Sequence, residues 1–145
     1  MTFAAFSQAA YREEIECFDA DVSATIERQI PTFVEIECGG CIVMRWPWIV
    51  DLQVLRVRQG SAPTGPLSVL TVQHSDFRTD LGSRRWLLRR NSLQGFNAIL
   101  RENDPRLPRC AGNAEPARPF IEPGEGRTLE DVRREGAEHF NRDPR

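Results

Sequence analysis

Short runs of alternating apolar and polar residues, cut by Pro and Gly, cover most of the chain and predict strands rather than long helices. Residues 20–29 place Val22, Ala24 and Ile26 on one face of a half-buried strand, and Pro31 interrupts it. Residues 32–37 form a second β-prone run, and Gly39-Gly40 supplies the turn of a hairpin. The longest β stretch, residues 42–58, contains Pro47, which marks an edge or a bend. Within it Val50, Leu52 and Val54 share one parity, whereas Leu55 and Val57 take the other. Such a phase slip predicts a β-bulge of the kind that lets a small sheet coil into a barrel.

Residues 59–66 read as a loop, and residues 67–74 as a strand of mixed parity. A polar loop follows over 75–83, then a strand over 84–90, a turn over 91–95 and a return strand over 96–100. Residues 102–126 are rich in Pro, Gly and charge and predict an irregular segment pinned at Cys110 and Phe120. Thr128-Leu129-Glu130-Asp131 opens a helix with a capping-box pattern in which Asp replaces Glu. Leu129, Val132, Gly136 and Phe140 form its small or apolar stripe. The expected organisation is therefore a leader or short helix over 1–16, a barrel over 17–110, a loop over 111–127 and a helix over 128–141 packed on the barrel. The fold class is all-β, a small closed barrel of five or six strands with one C-terminal helix, with an open sandwich as the nearest alternative.

Composition changes this picture little. The 145 residues fit one domain with a real core, and 40% hydrophobic with 28% charged residues is ordinary for a globular chain. A net charge of -2 gives no overall attraction to nucleic acid or acidic membranes. All nineteen basic residues are Arg, which fits a compositional background better than a specialised anion site. No stretch has the ~18 apolar residues of a membrane span, and residues 1–10 lack a basic n-region.

Four cysteines matter more: Cys17, Cys38, Cys41 and Cys110. Cys38 and Cys41 flank the Gly-Gly turn, a spacing suited to a turn-closing disulfide. A redox CxxC pair is the alternative, although its first cysteine usually caps a helix. A zinc site needs Cys17, Cys110, His74 or His139 to converge on the same point. Inert reduced thiols complete the options.

Three stretches resemble the netrin/TIMP-like branch of the OB-fold. Cys17-Phe18-Asp19-Ala20-Asp21-Val22 is similar to the cysteine and Ala-Asp-Val that open that family's first barrel strand. Residues 50–60, ending Arg58-Gln59-Gly60, are similar to its basic-then-glycine strand end, and residues 82–88 to its glycine-led apolar strand. The resemblance covers residues 17–110 and implies a Cys17–Cys110 disulfide and a binding module rather than an enzyme. It assigns no partner to Cys38 or Cys41. The chain has no Cys-x-Cys at its start, so the resemblance implies no metalloprotease inhibition through such a motif.

Candidate ligand contacts are Arg45, Trp46 and Trp48, where two indoles share one face, and His74, Asp76, Arg84 and Arg85 around the polar loop. The bland alternatives are core packing for the indoles, a surface histidine and salt-bridged arginines. No catalytic residue, metal ligand or cofactor is assigned, because no HExxH, GxSxG, calcium loop or P-loop occurs. The expected function is a non-catalytic, disulfide-stabilised binding domain, periplasmic or secreted with the cytoplasm as the alternative, whose partner is a protein or an envelope component. Two alternatives stand beside it. One is a single-stranded nucleic-acid binder using Trp86 and its flanking arginines, and the other is a thiol–disulfide enzyme using Cys38 and Cys41.

Overall fold

A computed structural model describes residues 17–32, 45–99 and 107–143. Five strands, β1 (Ala20–Pro31), β2 (Trp46–Gly60), β3 (Gly65–Gln73), β4 (Arg84–Arg90) and β5 (Phe96–Ile99), precede one helix, α1 (Leu129–His139). The strands close into a barrel in the order β1-β2-β3-β5-β4. The expected small all-β barrel with a C-terminal helix is thus the architecture observed, with five strands.

Closure depends on β1. Its first half, Ala20 to Ala24, pairs with β4 while its whole length pairs with β2. One strand serves two neighbours only if it coils, and three register shifts in the β1–β2 ladder supply the coiling. Leu55, Arg58 and Glu27 are the residues left unmatched at those shifts. The shift at Leu55 returns Val54 and Val57 to the same interior, which explains the parity slip in the sequence. The β3–β5 contact is parallel and short, with Val69 opposite Phe96 and Leu70 opposite Asn97.

Two neighbouring cores and a smaller cluster at the disulfide account for the burial pattern. The barrel interior holds Ala20, Val22, Ala24, Trp48, Val50, Leu52, Val54, Val69, Trp86, Leu88 and Ala98. Outside it, Ile49 and Leu70 pack under Phe120, Ile121 and Val132. The mixed parity of β3 therefore has a different origin from that of β2. Both faces of β3 are covered, Leu67 and Val69 by the barrel and Leu70 and Val72 by the C-terminal segment and helix.

The disulfide between Cys17 and Cys110 joins the entry of β1 to the chain beyond β5, with Cα atoms 4.9 Å apart. Phe18 and Arg109 form a parallel bridge beside it, and Phe18, Leu87, Ile99 and Leu107 pack together there. Asp19 completes this corner by accepting from Arg89 Nη1 at 2.8 Å and from the Arg90 amide at 2.7 Å. Gly60 sits against the same corner with φ of 78°, where an added Cβ would lie 1.9 Å from the Asp19 carbonyl oxygen.

Helix α1 begins in a complete capping box. The Asp131 amide donates to the Thr128 hydroxyl, and the Thr128 amide donates to the Asp131 carboxylate. That backbone hydrogen bond, with help from Arg134, holds the Asp131 carboxyl below its usual range. Val132, Gly136 and Ala137 form the buried face. Phe140 was expected on that stripe but is 38% exposed, because it is the C-cap and Asn141 turns into left-handed backbone at φ 53°. Strand β1 runs through Pro31 rather than stopping before it, and Thr32 then donates from its hydroxyl to the Pro47 carbonyl at 2.6 Å. The expected run over 32–37 beyond Thr32, the Gly39-Gly40 turn, and the Cys38 and Cys41 pair lie outside the described residues.

Candidate functional site at the aromatic end of the barrel

Most of the ligand contacts expected from the sequence meet at one end of the barrel. Alternation along β2 turns Trp46 and Trp48 inward, and their rings stack with centroids 5.8 Å apart. Trp48 is 2% exposed and belongs to the core, whereas Trp46 is half-buried at the rim. His74, just past β3, meets Trp46 edge-on at 6.3 Å. Arg45 donates to the Val72 carbonyl at 2.9 Å and ties the start of β2 to β3.

The loop between β3 and β4, residues 74–83, folds over this end. Phe77 meets Trp86 edge-on at 5.7 Å. The Arg84 guanidinium lies 5.1 Å from the Phe77 ring centre and 5.4 Å from that of Trp86. Gln29 clamps the loop by donating to the Phe77 carbonyl at 2.9 Å and accepting from the Phe77 amide at 2.8 Å. Gln73 steadies Gln29 by donating to its side-chain oxygen at 3.1 Å, and Thr71 in turn donates to Gln73.

Arg142, beyond the helix, reaches the same place. It binds the Asp76 carboxylate through both terminal nitrogens at 2.8 and 2.9 Å, donates to the Gln29 carbonyl, and lies 5.5 Å from the Trp48 ring centre. The aromatic end is therefore closed by two segments that the sequence did not connect to it, the Phe77 loop and the C-terminal arginine.

Three polar atoms at this end are unusual. The indole N–H groups of Trp46, Trp48 and Trp86 are buried and have no acceptor among the described residues. Buried indole N–H groups normally find one, and each that does not costs desolvation energy.

Two expected members are placed elsewhere or differently. Arg85 lies on the outer face of β4, where it binds Asp21 at 2.9–3.0 Å, so it does not belong to the aromatic end. The strand period explains this, since Arg84 and Trp86 share a parity that Arg85 lacks. Asp76 is engaged by Arg142 and Asp80 by Arg78, and no group of metal-ligating side chains occurs among the described residues. The hydrogen bonds from Arg78 hold Asp80 below the usual carboxylate range. Trp86, on which the nucleic-acid alternative depends, is 2% exposed and presents no face for a base to stack on.

A second polar cluster was not foreseen. Asp51, on the outer face of β2, binds Arg133 of α1 through both oxygens at 2.8 and 2.6 Å. Arg28 donates to it at 3.1 Å and Ser68 at 2.6 Å. Burial pushes the Asp51 carboxyl up, but the hydrogen bonds from Arg133 and Ser68 and the arginine charges outweigh it and leave the carboxyl below its ordinary value. A depression of about 390 Å³ opens beside this cluster, lined in part by Glu27, Leu67 and Glu130. Asp51, Arg28, Arg133 and Glu130 are paired with one another there, so the cluster fastens α1 to the barrel. An aspartate among inward-facing Val50 and Leu52 was the only signal available, and nothing in the sequence links it to an arginine 82 positions away.

No family model, no curated protein and no solved structure matches the chain. Among the described residues, no helix is long and apolar enough to cross a membrane.

Proposed function

We propose that the protein is a non-catalytic binding domain of the OB type, related to the netrin/TIMP-like branch, and that its ligand is held at the aromatic end of the barrel. The observation that carries this reading is the set of three buried indole N–H donors without acceptors among the described residues. A ligand oxygen or nitrogen entering beneath the Phe77 loop would satisfy donors that the protein leaves unmatched. The strand order β1-β2-β3-β5-β4 and the coiled first strand support the OB assignment. The Cys17–Cys110 bond supports an oxidising compartment, periplasmic or secreted, and a protein or an envelope component as the partner.

The test is a titration of protein carrying 15N-labelled tryptophan with size-separated fractions of solubilised cell envelope. A true ligand shifts the indole N–H signals of Trp46 and Trp48 downfield, and Trp46→Ala abolishes the remaining shift. Envelope fractions that bind the protein yet leave all three indole signals in place would refute this site.

A further inference from the structure

Hydrogen bonding at the aromatic end is one-sided. The side-chain oxygens of Gln29, Gln73 and Asp76 are all engaged, Gln29 by Gln73 and the Phe77 amide, Gln73 by Thr71, and Asp76 by Arg142. The unmatched groups there are donors, the buried indole N–H groups of Trp46, Trp48 and Trp86. Charge leans the same way. Arg45, Arg84 and Arg142 stand against the carboxylate of Asp76, while Arg78 and Asp80 cancel each other. A chain of net charge -2 thus gathers positive charge at this end. A ligand that brings acceptors and negative charge fits it, and an amine does not.

Asp76 and Phe77 outline the shape of such a ligand. The Asp76 carboxylate fills the fork of Arg142, whose guanidinium lies 5.5 Å from the Trp48 ring centre. Phe77, the next residue, sets its ring edge-on to Trp86 at 5.7 Å and 5.1 Å from the Arg84 guanidinium. Consecutive residues of the loop after β3 therefore place a carboxylate on one arginine and an aromatic ring beside another. The ion pair is reachable from solvent, with the Asp76 side chain 47% exposed and that of Arg142 34% exposed. Exposed pairs of this kind are weak enough to exchange partners. Tethered to its loop, Asp76 meets the fork but none of the three indole donors. A carboxylate has about four lone-pair sites, so an untethered one held by the fork can still accept from an indole N–H.

We infer that the ligand of this end is a small aromatic carboxylic acid, whose carboxylate displaces Asp76 from Arg142 and whose ring displaces Phe77 beneath the lifted loop. The inference rests on the binding reading proposed above and supplies its ligand class. Asp76 is then an internal competitor, and the apparent affinity falls with the fraction of molecules it holds closed. The two bonds from Gln29 to the Phe77 backbone are the remaining resistance to lifting the loop.

The test titrates the full chain, 15N-labelled, at pH 7 with 6-phenylhexanoate, and with 6-phenylhexanamide and hexanoate as controls. The aromatic acid is expected to shift the indole N–H signals of Trp48 and Trp86 and the Nε–H signal of Arg142. Each control is expected to bind about tenfold or more weakly, one for want of charge and the other for want of a ring. Arg142→Gln is expected to cost about tenfold. Asp76→Asn removes the competitor and is expected to tighten binding of the acid about two- to fivefold, whereas a residue that only held the loop in place would weaken it when replaced. Weaker or unchanged binding to Asp76→Asn, equal affinity for the acid and either control, or no shift at millimolar acid would overturn the inference. Envelope fractions that still shift the indole signals in those cases leave the binding site standing, so loss of the ligand class and loss of the site are told apart.

Discussion

Replacing Asp51 by Asn tests whether one carboxylate fastens the helix to the barrel. The side chain keeps its size but loses its charge, while Arg133 stays 11% exposed against a group that accepts far less strongly. Both bonds from Arg133 and those from Arg28 and Ser68 are affected together. Removing one partner of a buried pair costs about 3–5 kcal/mol when the remaining charge is fully enclosed. Here Asp51 is 14% exposed and Glu130 stands 3.8 Å from Arg133, so some compensation persists. The expected cost is about 2–4 kcal/mol, a fall in Tm of roughly 6–12 °C for a chain of this size.

Urea unfolding of the single variants and of Asp51→Asn with Arg133→Met measures the coupling directly. The pair is expected to be coupled by about 1.5 kcal/mol or more. Acid pH provides an independent readout. The folded-state carboxyl lies below its unfolded value of 3.8, so its contribution is complete above that pH and vanishes as pH falls through the folded value. The stability gap between wild type and Asp51→Asn should therefore be constant near neutrality and close below about pH 4. A gap under about 1 kcal/mol at pH 7, or one that widens on acidification, would refute the assignment of Asp51 as the helix anchor.

Two further changes probe the disulfide corner. Gly60→Ala forces a Cβ into the Asp19 carbonyl at a positive φ, and thermal denaturation should show a loss of about 2–4 kcal/mol. Cys17→Ser opens a bond between residues 93 apart in sequence, for which loop closure gives about 4–5 kcal/mol; in a background with Cys38 and Cys41 replaced by Ser, denaturant midpoints with and without reductant should coincide for this variant and differ for its Cys17 parent.

Local chemistry was legible in the sequence wherever neighbours along the chain decide the outcome. The bounds of β4 at Arg84 and Arg90, the capping box at Thr128 and the bulge at Leu55 all follow from spacing within a few residues. That Trp46 and Trp48 share one face was legible because strand alternation places them together, whereas the contact of His74 with Trp46 depends on the β2–β3 pairing. What escaped is long-range. Gln29 holds Phe77 across 48 positions, and Arg142 reaches back to the Gln29 carbonyl across 113. Polar residues that bridge distant segments look like ordinary surface positions until the chain is folded. Helix burial was misread at one site for a related reason. Periodicity continues through Phe140, but the C-terminal turn changes direction there and Ala137 takes the buried position.

The barrel is closed by two joints of very different strength. The β1–β4 joint has five opposed pairs, a covalent tie beside it and Asp19 bound to Arg89 and the Arg90 amide. The β3–β5 joint has two opposed pairs and is parallel. Heat or mechanical load should thus part the molecule along the second line first. The strands would splay there like an unfastened cuff while the opposite side stayed gathered, and amide protons of Val69 to Leu70 and Phe96 to Asn97 would be among the earliest in the barrel to trade with solvent.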